Sequence, residues 1–163
     1  MTAALAAQDS RFRLFERLKA GTGRTVGYRL TGSRELDRLA EAGEVVWENA
    51  RYGARYVIDR PTLREHVAAG AVPVVHAGQP EVVDAVRTAI PDTVWFIVEL
   101  RLSREVARAR IVARATGDTA ERLTAWDATP PLSTAMLSID SGQVAAARSA
   151  AIIRALIDLP SEL

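Results

Sequence analysis

The sequence predicts an α/β fold built on a parallel sheet. Short apolar runs alternate with helical stretches along the whole chain, which is the order of strand–helix–strand units. The run Val94–Leu100 is nearly continuous in Trp, Phe, Ile and Val, a pattern that suits a strand buried on both faces. Helix starts and stops are punctuated by Ser33, Pro61, Pro80 and Ser103 on one side and by Gly43 and Gly70 on the other.

The elements follow in order. Thr2–Ala7 is rich in alanine and helical, but shorter than the roughly 12 residues an isolated helix needs. Arg11–Tyr28 reads as a loop, with Gly21, Gly23 and Gly27 giving it backbone freedom. Ser33 is expected to cap a helix through Leu39, which Gly43 closes. Val45–Val46 and Tyr56–Ile58 read as strands. Pro61 suits the first turn of a helix over Thr62–Ala69. A short strand over Val72–His76 precedes a helix over Glu81–Ile90. The helix over Arg104–Ala115 is broken by Gly117-Asp118, and a second piece runs to Trp126. Ala135–Ile139 is the last strand and Gln143–Leu159 the last helix.

Composition bounds the function classes. At 163 residues the chain is expected to form a single domain, 1–163, burying roughly two-thirds of its unfolded surface. A net charge of +1 gives no case for nucleic acid or a membrane as partner. There is no cysteine, so neither disulfides nor thiolate metal sites are expected, and His66 and His76 alone make no zinc site. No signal peptide or long apolar run stands out, which by default implies a reducing, cytoplasmic setting. Lys19 is the only lysine among many arginines. That bias is also what GC-rich coding DNA produces, so only the placement of the arginines carries meaning. Arginine matches phosphate with a planar fork of donors.

Three groups of residues are placed suggestively. Lys19-Ala-Gly-Thr22 with Tyr28, and Arg17 and Arg24 nearby, forms a basic glycine-rich segment. Glu48-Asn-Ala-Arg-Tyr52-Gly-Ala-Arg-Tyr56 combines a carboxylate at a strand end with two tyrosines. Arg110 and Arg114 are four apart and share a helix face, a repulsive arrangement unless an anion lies opposite, and Arg122 follows the break.

This order resembles that of guanylate kinases. Ala107–Arg114 fills the slot of the family's L-x-x-R-L-x-x-R lid motif, and Glu48, Ala50, Gly53 and Tyr56 fall near E-x-A-x-x-x-G-N-x-Y-G-T with one residue fewer. Lys19 and Tyr28 stand where the family's phosphate-clamping arginine and tyrosine stand. The resemblance implies a three-layer parallel sheet of the P-loop kinase type. It also implies an acceptor segment at about 17–60 and a lid at about 110–124. In that reading Lys19, Arg24, Tyr28, Glu48, Tyr52 and Tyr56 hold the acceptor. Arg110, Arg114 and Arg122 stabilise the transferred phosphoryl group. Mg2+ with ATP is the implied donor, a small-molecule nucleotide the implied partner, and no metal site of the protein's own is implied. Val57-Ile58 replaces the usual Gly-Thr, and Val75 stands where an Asp is usual, which leaves room for an acceptor other than GMP. The ribose bisphosphate kinases share this core and the Trp–Tyr-Gly pattern around Trp47.

No G-x-x-x-x-G-K-S/T loop occurs in these residues. Thr2–Ala7 looks like the helix that follows such a loop, so the fold is expected to lack its first strand and P-loop. Loss of a central strand would leave its neighbours unpaired and invite association, a homodimer being the simplest form. Two functional classes follow. One is a kinase that moves phosphate from ATP to a purine nucleoside monophosphate. The other is a catalytically dead binding or scaffold domain of the same fold.

Overall fold

The structure is a computed structural model that describes residues 1–51, 53–113 and 118–159. Tyr52 and Arg114, both expected at the site, lie outside the described residues.

Chain order is α1 (Thr2–Gln8), β1 (Phe12–Leu14), β2 (Arg17–Gly21), β3 (Tyr28–Leu30), α2 (Ser33–Glu41), β4 (Val45–Arg51), β5 (Ala54–Asp59), α3 (Arg60–Ala68) and β6 (Val72–Val74). It continues with α4 (Glu81–Ala89), β7 (Val98–Arg101), α5 (Arg104–Ala113), α6 (Thr119–Asp127), β8 (Leu137–Asp140) and α7 (Ala146–Ile157). The fold is mixed α/β, as the alternation implies. The sheet, however, is not one parallel layer among the described residues. β1 pairs with β6 and β7 with β8, both parallel, while β3-β2-β5-β4 form a separate mixed sheet. In that sheet β5 runs antiparallel to both β2 and β4. The β4–β5 hairpin turns at Gly53, whose φ of 70° falls in the left-handed region that glycine tolerates.

The segment Arg11–Tyr28, expected as a loop, holds two strands instead. Phe12, Phe15, Leu18 and Ala20 are buried, and this tertiary burial overrides the glycine content that suggested a loop. The opposite error occurs at Val94–Leu100, where the strand begins only at Val98 and Val94 is 87% exposed. α2 begins at Ser33 with Gly32 as its cap residue. The other punctuation holds. Asp59 caps α3, accepting from Thr62 N (3.2 Å) and Thr62 Oγ1 (2.6 Å), with Pro61 in the first turn. Ser103 Oγ accepts from Val106 N (3.3 Å) at the start of α5.

Three apolar clusters hold these pieces together. Phe15, Ile58, Leu63, Val82 and Val86 join the mixed sheet to α3 and α4. Leu5, Phe12, Ile139, Ala150 and Ile153 join α1 and α7 to strands of both parallel pairs. Leu18, Ala20, Leu36 and Val57 fix α2 on one face of the mixed sheet. The other face packs Ile58 and Trp47 against α3 and α4 at one end and carries Lys19, Tyr56 and Asn49 nearer the hairpin turn.

Gly21 sets the fit of β2 against the hairpin turn. Its φ is 124°, and a Cβ there would come within 2.5 Å of the Gly53 carbonyl oxygen and 2.7 Å of Ala54 Cα. Gly21→Ala is therefore expected to lower stability by at least about 1–3 kcal/mol through backbone strain alone. A fall in the urea midpoint without a change in m-value would show it.

Candidate functional site

Strand periodicity decides which side chains meet on the mixed sheet. Successive residues of a strand point to opposite faces, and directly paired residues share a face. Lys19 pairs with Tyr56, and Tyr56 with Asn49, so these three form one row across β2, β5 and β4. In the next row Arg17 pairs with Tyr28 and Trp47 with Ile58. Gly21 and Arg51, both paired with Ala54, form the row on the other side. This face carries Lys19, Tyr56 and Asn49 beside the packed Ile58 and Trp47, and lies opposite the face packed on α2.

Lys19 is its centre. The side chain is 1% exposed, yet the structure gives its ammonium no carboxylate partner among the described residues. Lys19 Nζ donates to the Arg24 carbonyl oxygen at 2.6 Å. It also lies 5.6 Å from the ring centres of both Tyr28 and Tyr56. Those rings are 5.3 Å apart. A buried cation held by one carbonyl and two π faces has unused positive charge and donors, the provision a phosphate needs. Lys19, Tyr28 and Tyr56 thus come together. Arg24 lies at the rim, where its backbone serves Lys19 and its Nε donates to the Val26 carbonyl at 3.1 Å.

Glu48 is placed elsewhere. It pairs with Val57, which is fully buried in the cluster beneath α2, so Glu48 faces α2 and not Lys19. Arg55 grips its carboxylate through Nε (2.6 Å) and Nη2 (3.2 Å), while Arg55 Nη1 donates to Asp37 of α2 (2.7 Å). The hydrogen bonds to Glu48 and then Asp37 raise the Arg55 pKa above its ordinary value. The register of the hairpin decides this, because a shift of one reverses the face of every side chain.

A cleft of about 530 Å³ lies beyond the hairpin end of the sheet. Arg51, the segment Gly78–Glu81, and Arg110, Arg122 and Trp126 of α5 and α6 line it. Arg110 and Arg122 thus come together as expected. Arg110 Nη2 donates to the Ser141 carbonyl oxygen at 2.7 Å, and Arg122 Nε to Asp118 at 2.6 Å. Arg104 pairs bidentately with Asp127, both bonds 2.8 Å, tying the start of α5 to the end of α6.

Arg51, Asn49 and Trp126 were not singled out in the sequence. For Arg51 and Asn49 the signal was available. Once the hairpin is centred on Gly53, odd-numbered residues of β4 must share a face with Tyr56.

Just beyond β6, the half-buried Arg17 guanidinium donates to the His76 carbonyl oxygen. The His76 imidazole Nε2 and Thr2 Oγ1 are hydrogen-bonded at 2.8 Å. Burial, followed by the charge of Arg17, holds the His76 pKa below its ordinary 6.5. The unfolded chain therefore takes up this proton at a higher pH than the folded one. Stability supplied by neutral His76 is present above about pH 6.5 and lost as pH falls toward the lowered folded value. His76→Gln is expected to flatten the decline in urea midpoint between pH 8 and pH 5. An unchanged decline would assign it to other groups.

No protein-family model matches the chain, and no curated protein matches it by sequence. Among the described residues no helix is long and apolar enough to cross a membrane. Among solved structures, guanylate kinase from Anaplasma phagocytophilum superposes with a TM-score of 0.61 over 96% of this chain and 80% of that one. Identity over the match is 16%. The chain has a guanylate-kinase-like α/β fold.

Proposed function

We propose that the protein is a nucleotide kinase of the guanylate-kinase type, transferring phosphate from magnesium-ATP to a purine nucleoside monophosphate. The observation that carries this reading is the buried Lys19 ammonium between Tyr28 and Tyr56, without a carboxylate partner among the described residues. The three side chains suit the phosphate of the acceptor, with Arg24 at the rim. Arg110 and Arg122, with Arg114, suit the phosphoryl group in transit. Phosphoryl transfer asks the protein for positioning and charge neutralisation, not covalent chemistry.

Magnesium enters with the nucleotide. No group of three His, Asp or Glu side chains could hold a cation by itself among the described residues. Glu81 is the carboxylate that lines the cleft. One carboxylate supplementing phosphate oxygens and water suits magnesium.

The place of Glu48 favours a second reading of the acceptor. A carboxylate on the ligand face would accept both N–H groups of a guanine edge, but this one is held by Arg55 on the opposite face. Asn49 stands beside Tyr56 instead, and its Oδ1 is buried without a hydrogen-bond partner. An amide offers one acceptor and one donor, which matches the adenine edge. AMP is then the better acceptor.

The test is transfer of the γ-phosphate of ATP to GMP or AMP, followed by 31P NMR. Arg122→Ala is expected to lower kcat about 100-fold with little change in acceptor KM. Nucleotide binding without any transfer would make the protein a binding module. Absence of both would end the kinase reading.

A further inference from the structure

We infer that Arg51 binds the phosphate chain of the donor, bridging the Lys19 pocket and the lid arginines. This inference rests on the kinase reading. Arg51 is the last residue of β4 and shares a sheet face with Lys19, Tyr56 and Asn49, one row nearer the hairpin turn. Same-face rows lie about 7 Å apart along a strand and neighbouring strands about 5 Å apart across the sheet. The Lys19 and Arg51 backbones are thus on the order of 12 Å from each other, a separation that two long side chains can span around one ligand. Between them lie Gly21, which has no side chain, and the buried Ala54, so no long side chain of the sheet stands between the two cations.

Arg51 also lines the cleft, together with Arg110 and Arg122. Among the described residues three guanidinium groups line it with one carboxylate, Glu81, and Arg122 is also paired with Asp118. Arg110 is steadied by Ser141. Arg51 is exposed and makes no hydrogen bond or ion pair among the described residues. Its planar fork of donors is therefore available to phosphate oxygens. Leu102, Ile111, Trp126 and Pro130 give the same cleft an apolar wall. Cations together with an aromatic and apolar lining fit a nucleoside di- or triphosphate better than a monophosphate.

Calorimetric titration with two probes, inorganic tripolyphosphate and AMP, tests the assignment. The wild type should bind both. Arg51→Met should weaken tripolyphosphate at least tenfold and leave AMP affinity and the melting temperature unchanged. Arg51→Lys, which keeps the charge and loses the fork, should recover part of the loss. Equal tripolyphosphate affinity in Arg51→Met and wild type would overturn the role of Arg51 and leave the kinase reading intact. AMP binding without tripolyphosphate binding in the wild type would do the same. A wild type that binds neither probe would remove both.

Discussion

Lys19→Met is expected to strip the protein of nucleoside monophosphate affinity while making the fold more stable. The side chain is 1% exposed, so its ammonium is out of water, and no carboxylate repays that desolvation among the described residues. Methionine matches its length and suits the space between Tyr28 and Tyr56 without a charge to bury. Replacing buried ionic groups by apolar ones of similar volume raises stability by about 1–4 kcal/mol in comparable settings. For a chain of this size each kcal/mol is about 2–4 °C in Tm. The same change removes the central donor for an acceptor phosphate, so AMP or GMP affinity should fall at least about tenfold, the scale of one charge-assisted hydrogen bond. Thermal melts with and without nucleotide read both effects from one sample. A destabilised Lys19→Met variant that still binds monophosphate would show that Lys19 is a structural residue.

The largest loss of stability is expected from Leu63→Ala. Leu63 of α3 is fully buried in the cluster that joins Phe15 and Ile58 to Val82 and Val86 of α4. Removing its branched end leaves a cavity between sheet and helices that packed neighbours fill only in part, at a cost of about 2–5 kcal/mol. Ile58 lies on the sheet face that carries Lys19 and Tyr56, so loosening this cluster also loosens the support of the candidate site. Nucleotide affinity should therefore fall with the fold and return as temperature is lowered, unlike the loss in Lys19→Met. A urea midpoint within error of the wild type would show that α3 packs differently.

Local chemistry made much of this chain legible. Asp59 and Pro61 announce α3, Ser103 announces α5, and Gly43 and Gly70 end their helices, because caps and breakers act over a few residues. The place of Arg110 on α5 follows from helical spacing in the same way. The strands β1 and β2 were not legible. Their residues acquire strand partners from β6 and β5, far along the chain, and nothing local distinguishes them from a glycine-rich loop. Val94 shows the converse, an apolar residue left exposed because no neighbour reaches it.

The sequence by itself determined the α/β class, the helix limits, and which residues have the chemistry to meet a phosphate. Only the tertiary structure decided which of them face it. Pairing of Asn49, not Glu48, with Tyr56 sends the carboxylate to α2 and its Arg55 partner and brings Asn49 and Arg51 to the side of Lys19. A strand alternates its faces at every residue, so the register of one hairpin sets the composition of the whole site, and register is a property of paired strands, not of one strand alone.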